Sequence, residues 1–318
     1  MRNTLFRKGL AVGLILLFIG TSVVPTFNAI TTKDPKPIPN RGNWLYVGGS
    51  GPGNYTTIQS AIDAANPGDT VFVFNGTYYE SLHLEKSLHL QGENRTTTII
   101  DSRRSSYSIT IYKGTIVTIR GFTIQNSSKH GINSEAIEIV TIDNIIQKHE
   151  YVGICLKNST KAIITDNIIS QNKRGLCLCW CCCNSTISYN MLESNTDCAI
   201  YIFNSSHNRI VKNKMIHNFY NIFLAYSDYN NISQNSIENC SFCNTYFYHA
   251  NHCSILKNNF INYQICALFS CCRNTWEGNY WNEPRFLPKP IFGVIGQYGL
   301  IPWVNFDWHP AQKQYVIN

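Results

Sequence analysis

The stretch TKAIITDNIIS, residues 160–170, returns in altered form as NSTISYNMLES at residues 184–194 and as HNRIVKNKMIH at residues 207–217. Each copy places an apolar residue three positions before an asparagine. Apolar and polar residues alternate on both sides of that asparagine, as they do in half-buried β-strands. The copies therefore indicate one short β-structured unit that repeats along the chain.

Asparagine marks the period of this repeat. The steps between successive asparagines are 23, 23, 23, 22, 23 and 21 residues, and Gly121 stands 23 residues before the first of them. A unit of this length matches one coil of a right-handed parallel β-helix, whose coils stack about 4.8 Å apart. A buried asparagine in each turn can satisfy backbone groups of its own and the adjacent coil. The predicted structural ladder consists of Asn144, Asn167, Asn190, Asn213, Asn235, Asn258 and Asn279.

The two ends of the repeat predict the domain organisation. Residues 56–69, TTIQSAIDAANPGD, place apolar residues on one helical face after a capping threonine, which predicts a helix that covers the first coil. We expect an all-β, single-stranded right-handed parallel β-helix over residues 44–281, with coils of 22–23 residues. Residues 282–318 lack the period and predict an irregular C-terminal cover.

Two stretches resemble known β-helix families. YTTIQSAIDAANPGDTVFVFNGTYYE, residues 55–80, resembles the opening of pectin-methylesterase and pectate-lyase-like proteins. The later coils with asparagine anchors and the closing GNYW, residues 278–281, are similar to the NosD-type family and related archaeal surface proteins. This resemblance covers roughly residues 45–281 and implies the pectin-lyase-like fold. The name of the family also implies a link to copper.

The N-terminus predicts export. Arg2, Arg7 and Lys8 precede an uncharged apolar run, so that residues 1–30 have the form of a signal peptide, with an uncleaved signal anchor as the alternative. Residues 31–43 contain three prolines and predict a linker. We expect a secreted or cell-surface protein, extracellular or periplasmic, that meets a membrane only through this segment. Its nine Asn-x-Ser/Thr sequons are then candidate glycosylation sites.

The charge distribution bears on the partners. The formal net charge is +7, and three of the positive charges belong to the N-terminal segment. The sequence contains no cluster of lysine and arginine, so that nucleic-acid binding is not predicted. Surface glycans or envelope proteins are the partners that an exported solenoid of this composition favours.

Few acidic residues are placed for catalysis. Glycoside hydrolases need paired carboxylates, and lyases need a base that usually works beside Ca²⁺. Asp143 and Asp166 each precede an anchor asparagine and should stack on adjacent coils. We interpret them as a solvated ladder, with weak binding of a cation such as Ca²⁺ as the alternative. No catalytic residue is predicted, although a polysaccharide lyase or hydrolase stays as an alternative function.

Aromatic residues mark the outward side of another strand. Because leucine and isoleucine alternate with them, one outward column should hold Cys155, Cys177, Tyr201, Phe223, Tyr246 and Phe269. A contiguous aromatic stripe on a surface predicts contact with a ligand or partner, whereas the alternative is that the C-terminal segment covers it. The candidate ligand-binding residues are Tyr201, Phe203, Phe223, Tyr226, Tyr246 and Tyr248.

Thirteen cysteines remain to be explained, and five of them lie in RGLCLCWCCCNS, residues 174–185. The period places Cys182 and Cys183 in a turn column where other coils use serine. The candidate metal ligands are Cys155, Cys177 and Cys179, which should lie side by side on an outer face and whose thiolates suit Cu(I) or Zn²⁺. The alternative is that cysteines replace other residues of a scaffold that needs no cofactor. The favoured function is non-catalytic binding of glycans or envelope partners, with copper handling as a further alternative.

Overall fold

The computed structural model describes residues 43–262, 266–295 and 301–317. They form a right-handed parallel β-helix, and the predicted fold class is confirmed. The predicted export segment, residues 1–30, and all but the last residue of the predicted linker lie outside the described residues.

Each full coil contributes one strand to each of three sides. Side 1 carries the outward aromatic residues. Its strands are β4 (Leu82–Leu84), β7 (Tyr107–Ile111), β10 (His130–Ser134), β13 (Val152–Lys157), β16 (Arg174–Cys179), β19 (Cys198–Phe203), β22 (Tyr220–Ala225), β25 (Cys243–Tyr248), β28 (Cys266–Phe269) and β31 (Lys289–Ile295).

Side 2 follows side 1 in every full coil and leads into the asparagine turn. Its strands are β1 (Trp44–Val47), β2 (Thr70–Val73), β5 (Leu88–Gly92), β8 (Ile116–Arg120), β11 (Glu138–Ile142), β14 (Ile163–Thr165), β17 (Thr186–Ser188), β20 (Arg209–Val211), β23 (Asn231–Ser233), β26 (Ser254–Leu256), β29 (Thr275–Glu277) and β32 (Ile301–Asp307).

Side 3 follows the asparagine turn and forms a separate sheet of 10 strands. Its strands are β3 (Gly76–Tyr78), β6 (Thr98–Asp101), β9 (Thr123–Gln125), β12 (Ile145–Gln147), β15 (Ile168–Ser170), β18 (Met191–Glu193), β21 (Lys214–Ile216), β24 (Ser236–Glu238), β27 (Asn259–Ile261) and β30 (Tyr280–Trp281).

The helix α1 (Ile58–Ala64) packs against the first coil. Thr57 caps it by accepting a hydrogen bond from Ser60 N, and Ile58, Ala61 and Ile62 are buried. The apolar spacing of residues 56–69 therefore places a helical face against β1, β2 and β4. No helix among the described residues is long and apolar enough to cross a membrane.

Buried asparagines line the corner between sides 2 and 3. Asn167 donates through its backbone N–H and through Nδ2 to Asn190 Oδ1, both at 3.0 Å, and Asn190 repeats the pattern with Asn213. Each Nδ2 also reaches a backbone carbonyl, as Asn167 does at Thr141 over 2.9 Å. The carboxamides thus satisfy backbone groups that the bend leaves open in two coils.

The residue before each ladder asparagine is left-handed, with φ near +57° at Asp143 and Asp166. Gly121 takes this position in its own coil, with φ +77°, and Phe122 N donates to Asn144 Oδ1. Gly121 is therefore not the eighth member of the ladder that its 23-residue spacing suggests. It supplies the left-handed residue of the turn, and its Cβ would lie 2.5 Å from Gly92 O.

A second buried ladder, which was not predicted from the sequence, lies at the corner between sides 3 and 1. Its members are spaced by 23 residues, which is the signal that could have found it. They are His149, Asn172, Asn195 and Asn218.

The segment expected to be irregular contains a β-hairpin. β31 and β32 pair antiparallel, and β31 also pairs parallel with β28. The hairpin therefore adds its strands to the last coil, where it joins sides 1 and 2 into one sheet of 22 strands.

Candidate functional site

Side 1 presents its outward side chains over β16 to β28. Leu176, Leu178, Ile200 and Ile202 are fully buried, and the residues between them point out of the helix. The six predicted aromatic residues lie there: Tyr226 is 50% exposed and the others are half-buried. Trp180, 52% exposed, and His249 extend the same surface. We call these eight residues the aromatic face.

Rings of adjacent coils stack along the solenoid. The ring centroids of Phe223 and Tyr246 are 4.6 Å apart with planes 21° apart, and those of Tyr201 and Phe223 are 5.1 Å apart. Tyr226 and His249 stack at 5.2 Å. These separations are close to the spacing of about 4.8 Å between strands. Phe223 and Tyr246 thus cover one face of each other, as do Tyr226 and His249, whereas Trp180 and Phe203 meet edge to face.

One charged pair borders the aromatic face. Arg174 lies over the ring of Tyr201, with Cζ 4.3 Å from the centroid, and its Nε donates to Asp197 Oδ2 over 2.7 Å. Burial raises the pKa of the Tyr201 hydroxyl to about 12, so that this phenol is a neutral hydrogen-bonding group. Arg174 was not predicted to belong to this surface, because Tyr201 and Asp197, its partners, come from the next coil.

The last coil shifts the predicted columns. Phe269 was expected beside Tyr246, but in the structure it pairs with Tyr248, and Ala267 pairs with Tyr246. This coil has 21 residues between paired positions, from Tyr248 to Phe269, instead of 23. A prediction that assumes 23 residues therefore places Phe269 two positions away from its true partner. Val294 then pairs with Phe269 and extends the edge of side 1, rather than lying over its outer surface.

Three thiols predicted as metal ligands occupy neighbouring positions of side 1. Cys155 pairs with Cys177 in the register of β13 and β16, and Cys179 Sγ lies 3.9 Å from Cys177 Sγ. Cys155 and Cys177 are buried, whereas Cys179 is half-buried. Burial raises the pKa of the Cys155 thiol to about 12. A hydrogen bond joins the two sulfurs, and this bond, with burial, raises the pKa of Cys177, whereas the bond lowers the pKa of Cys179.

Other cysteines take serine positions at the corner between sides 1 and 2. Ser205 Oγ donates to Phe203 O over 3.0 Å, and Cys182 Sγ donates to Cys179 O over 3.1 Å. Cys182 N in turn donates to Ser205 Oγ. Cys271 repeats this arrangement: its Sγ donates to Phe269 O and accepts from Ala250 N. The thiols of Cys182 and Cys271 therefore make the turn hydrogen bonds that a serine hydroxyl makes in another coil.

A group of acidic and basic residues lies on the corner that carries the asparagine ladder. Arg95 Nη1 is 2.8 Å from Asp143 Oδ1, and Arg120, Asp166 and Tyr189 line the same shallow depression. Asp166 Oδ2 accepts from Thr165 Oγ1 over 2.8 Å. Because each carboxylate is engaged by a neighbour, we assign no catalytic residue to this group. The guanidinium of Arg95 also occupies the place beside Asp143 where a bound cation was considered.

A family described as periplasmic copper-binding protein (NosD) matches residues 62–286. The chain belongs to the NosD family. The match covers the coils that carry the asparagine ladder, so that the resemblance of the repeat is confirmed for this NosD-family protein. No curated protein matches the sequence.

Solved structures share the fold. The mannuronan C-5 epimerase AlgE6 A-module of Azotobacter vinelandii has a TM-score of 0.55 at 16% identity and covers 74% of this chain and 82% of its own. The DFA-IIIase of Arthrobacter chlorophenolicus A6 has a TM-score of 0.56 at 10% identity, over 80% and 85%. Pectate lyase Pel9A has a TM-score of 0.50 at 12% identity, over 73% and 76%. Such identities show the fold alone.

The family description raises the question of which residues suit copper. Within residues 43–262, 266–295 and 301–317, no group of three or more His, Cys, Asp or Glu side chains is arranged to hold a metal ion. The pair Cys177 and Cys179 places two soft sulfur donors 3.9 Å apart. Two thiol sulfurs at this separation fit Cu(I), which thiolates select, better than they fit Zn²⁺, which takes four ligands.

Proposed function

We propose that this NosD-family protein is a non-catalytic binding protein of the periplasm or cell exterior, and that it binds an extended glycan along side 1. The observation that carries the proposal is the aromatic face. Two of its rings, Trp180 and Tyr226, are about half exposed, and contiguous apolar surface of this kind usually marks an interaction site.

The repeat of the fold favours a repeating ligand. Successive coils present Tyr201, Phe223 and Tyr246 at ring separations of 5.1 and 4.6 Å. A linear polymer that runs parallel to the solenoid would meet one of these rings in each of three successive coils. Phenol hydroxyls can both donate and accept hydrogen bonds, as the hydroxyls of a sugar do. Arg174 and Asp197 supply a charged pair at one border for orientation.

Binding to a glycan array, followed by titration of the best ligand, tests the proposal. Trp180→Ala and Tyr226→Ala should each weaken binding by about tenfold, or about 1.4 kcal/mol. Tyr189→Ala is the matched control, because Tyr189 is 43% exposed on another corner of the same solenoid. Equal affinities of Tyr226→Ala, Trp180→Ala and Tyr189→Ala would refute glycan binding at this surface. Capture of an envelope protein that depends on Trp180 and Tyr226, with no glycan bound, would replace the glycan by a protein partner.

A second candidate function is the binding of Cu(I), which the separation of 3.9 Å between Cys177 Sγ and Cys179 Sγ favours. Metal binding would displace the thiol protons, because thiolates are the ligands. The hydrogen bond with Cys177 lowers the pKa of Cys179, and the positive charges of Arg174 and Lys157 lower it further. These two charges would offset part of the negative charge of two thiolates. Cys155 on the adjacent rung is the available third sulfur.

Competition against a coloured Cu(I) chelator tests this second function. The protein should take up one equivalent of Cu(I), and Cys177→Ser or Cys179→Ser should abolish the uptake. Cys181→Ser and Cys272→Ser are the controls, because both thiols are exposed and lie outside the pair. Uptake that persists in Cys177→Ser and Cys179→Ser, or that falls equally in the controls, would contradict a site at this pair.

A further inference from the structure

A second group of aromatic rings lies in the first coils of the described solenoid, on the outward surface of side 2. Trp44 and Tyr46 of β1 contact Phe72 of β2, and Phe74 follows β2 directly. The ring centroids are 5.2 to 6.3 Å apart. We call these four residues the N-terminal aromatic cluster.

The cluster is confined to β1 and β2, the first two strands of side 2, and to Phe74 directly after β2. The next rung presents His89 and Gln91, which pair with Thr70 and Phe72. Trp44 and Tyr46 are each 42% exposed. The solenoid therefore ends in a compact aromatic patch, while the rung beside it is polar.

Tryptophan and tyrosine combine an apolar ring with one polar atom. Such rings are enriched where a bilayer meets water, because the ring enters the headgroup region while the polar atom stays hydrated. A patch built of Trp44, Tyr46 and two phenylalanines has the composition of such an interfacial contact. The proposed binding of glycans makes no use of it, because the aromatic face lies on side 1.

The chain that precedes the cluster carries the features that select a lipid surface as its occupant. The apolar run Leu10–Val24 ends 20 residues before Trp44. Between them, Lys33, Lys36 and Arg41 outnumber the single acidic residue, Asp34. Basic residues beside a membrane segment are attracted to anionic lipids. An extended chain of 20 residues reaches up to about 70 Å, so that the cluster can lie at the surface of a membrane that holds the run.

We infer that the N-terminal apolar run is retained as a membrane anchor, and that the N-terminal aromatic cluster docks on the lipid headgroup region of the same membrane as a second contact. The contact holds the first coil against the bilayer through side 2. The aromatic face of side 1 then remains open to partners. The partner of this surface is thus a lipid interface that contains anionic headgroups.

Quenching of tryptophan fluorescence by nitroxide-labelled lipids tests the inference. The full chain is reconstituted into vesicles of equal parts phosphatidylcholine and phosphatidylglycerol, with the nitroxide near the headgroup. Trp44→Phe should lose most of the quenching that the unaltered protein shows. Trp180→Phe is the matched control, because Trp180 is also exposed but lies on side 1, and its quenching should be unchanged.

Four outcomes would contradict the inference or a part of it. Quenching that is the same in Trp44→Phe as in the unaltered protein would remove Trp44 from the interface. Quenching that is lost in Trp180→Phe instead would place the other surface on the lipid. Protection of Trp44 from aqueous acrylamide in the absence of vesicles would mean that residues 25–42 cover the cluster. Quenching of Trp44 in pure phosphatidylcholine as strong as in the mixture would overturn the requirement for anionic lipid. Glycan titrations with Trp44→Phe keep this test separate from the proposed function, since glycan affinity should not change.

Discussion

Asn279 Nδ2 donates to Asp307 Oδ2 over 3.0 Å, and this bond ends the asparagine ladder. The same carboxylate accepts from the backbone N–H of Asn279 and Gly278 and from Trp281 Nε1, at 2.9 to 3.1 Å. Asp307 is fully buried. It comes from β32 of the C-terminal hairpin, so that a residue outside the repeat supplies the acceptor that the next coil would have supplied.

Replacement of Asp307 by alanine should therefore destabilise the last coil. It leaves several buried donors without an acceptor, and we expect a loss of about 3 kcal/mol in the free energy of unfolding. Asp307→Asn keeps one acceptor oxygen and should lose less. Urea denaturation measures both. A loss below about 0.5 kcal/mol in Asp307→Ala, the level of an ordinary surface substitution, would contradict the role of Asp307 as the end of the ladder.

The repeat could be predicted because each coil obeys the same local rules. Each coil of the repeat has one anchor asparagine with an apolar residue three positions before it. This pattern can be recognised in the sequence without knowledge of contacts between distant residues. The partner of Asn279 could not be predicted, because Asp307 belongs to a hairpin that pairs with the edge of the last coil. Arg95 likewise reaches Asp143 from a coil without the asparagine anchor.

Asparagines inside the ladder should also contribute to the free energy of unfolding. The Asn213 carboxamide accepts from two groups of Asn190 and donates to Ile187 O, Val211 O and Asn235 Oδ1. Asn213→Ala should cost about 2 kcal/mol or more of the free energy of unfolding, because buried backbone groups lose their partners. Lys214→Ala is the control at the neighbouring exposed position and should change stability little. Equal urea midpoints of the two variants would refute the ladder as a source of stability.

We expect His149 to make the free energy of unfolding depend on pH. Its imidazole takes an asparagine position: Nδ1 accepts from Ser127 N, and Nε2 donates to Ile124 O. Burial lowers the pKa of His149 from 6.5 to about 3. Between these values the folded state binds fewer protons than the unfolded state, so that stability falls as the pH falls. His149→Asn can make the same two bonds without titrating.

Urea denaturation at pH 7 and at pH 4.5 measures this effect. The unaltered protein should lose about 3 kcal/mol more between the two pH values than His149→Asn does. The neighbouring His130, whose pKa burial lowers to about 4, remains in both proteins. Parallel losses in the two proteins would show that His149 does not carry the dependence.

The substitution Cys182→Ser should leave the stability of the protein nearly unchanged. The Cys182 thiol donates to Cys179 O as Ser205 donates to Phe203 O, so that Cys182→Ser keeps the bond. Cys182→Ala removes it and should cost about 1 kcal/mol. Thermal or urea unfolding compares the variants. A Cys182→Ser protein less stable than Cys182→Ala would contradict the interpretation of this thiol as a substitute for a hydroxyl.

The candidate surface was predictable in composition but not in geometry. Alternation indicates which aromatic residues leave the core, yet it carries no information on ring orientation. The stacking of Phe223 on Tyr246 follows from the distance between coils, and the exposure of Tyr226 follows from its place in the turn. Phe269 pairs with Tyr248 and not with Tyr246, because its coil is shorter than its neighbours. A constant repeat length therefore cannot predict which residues pair after a coil of different length.

Covalent footprinting of aromatic side chains tests the central claim most directly, because it needs no identified ligand. The NosD-family protein is labelled alone and in the presence of isolated cell-envelope glycan. Labelling of Trp180, Tyr226 and Tyr248 should fall when the glycan is present, while labelling of Tyr189 should stay the same. Unchanged labelling of the aromatic face, or protection of Tyr189 in its place, would contradict binding along side 1.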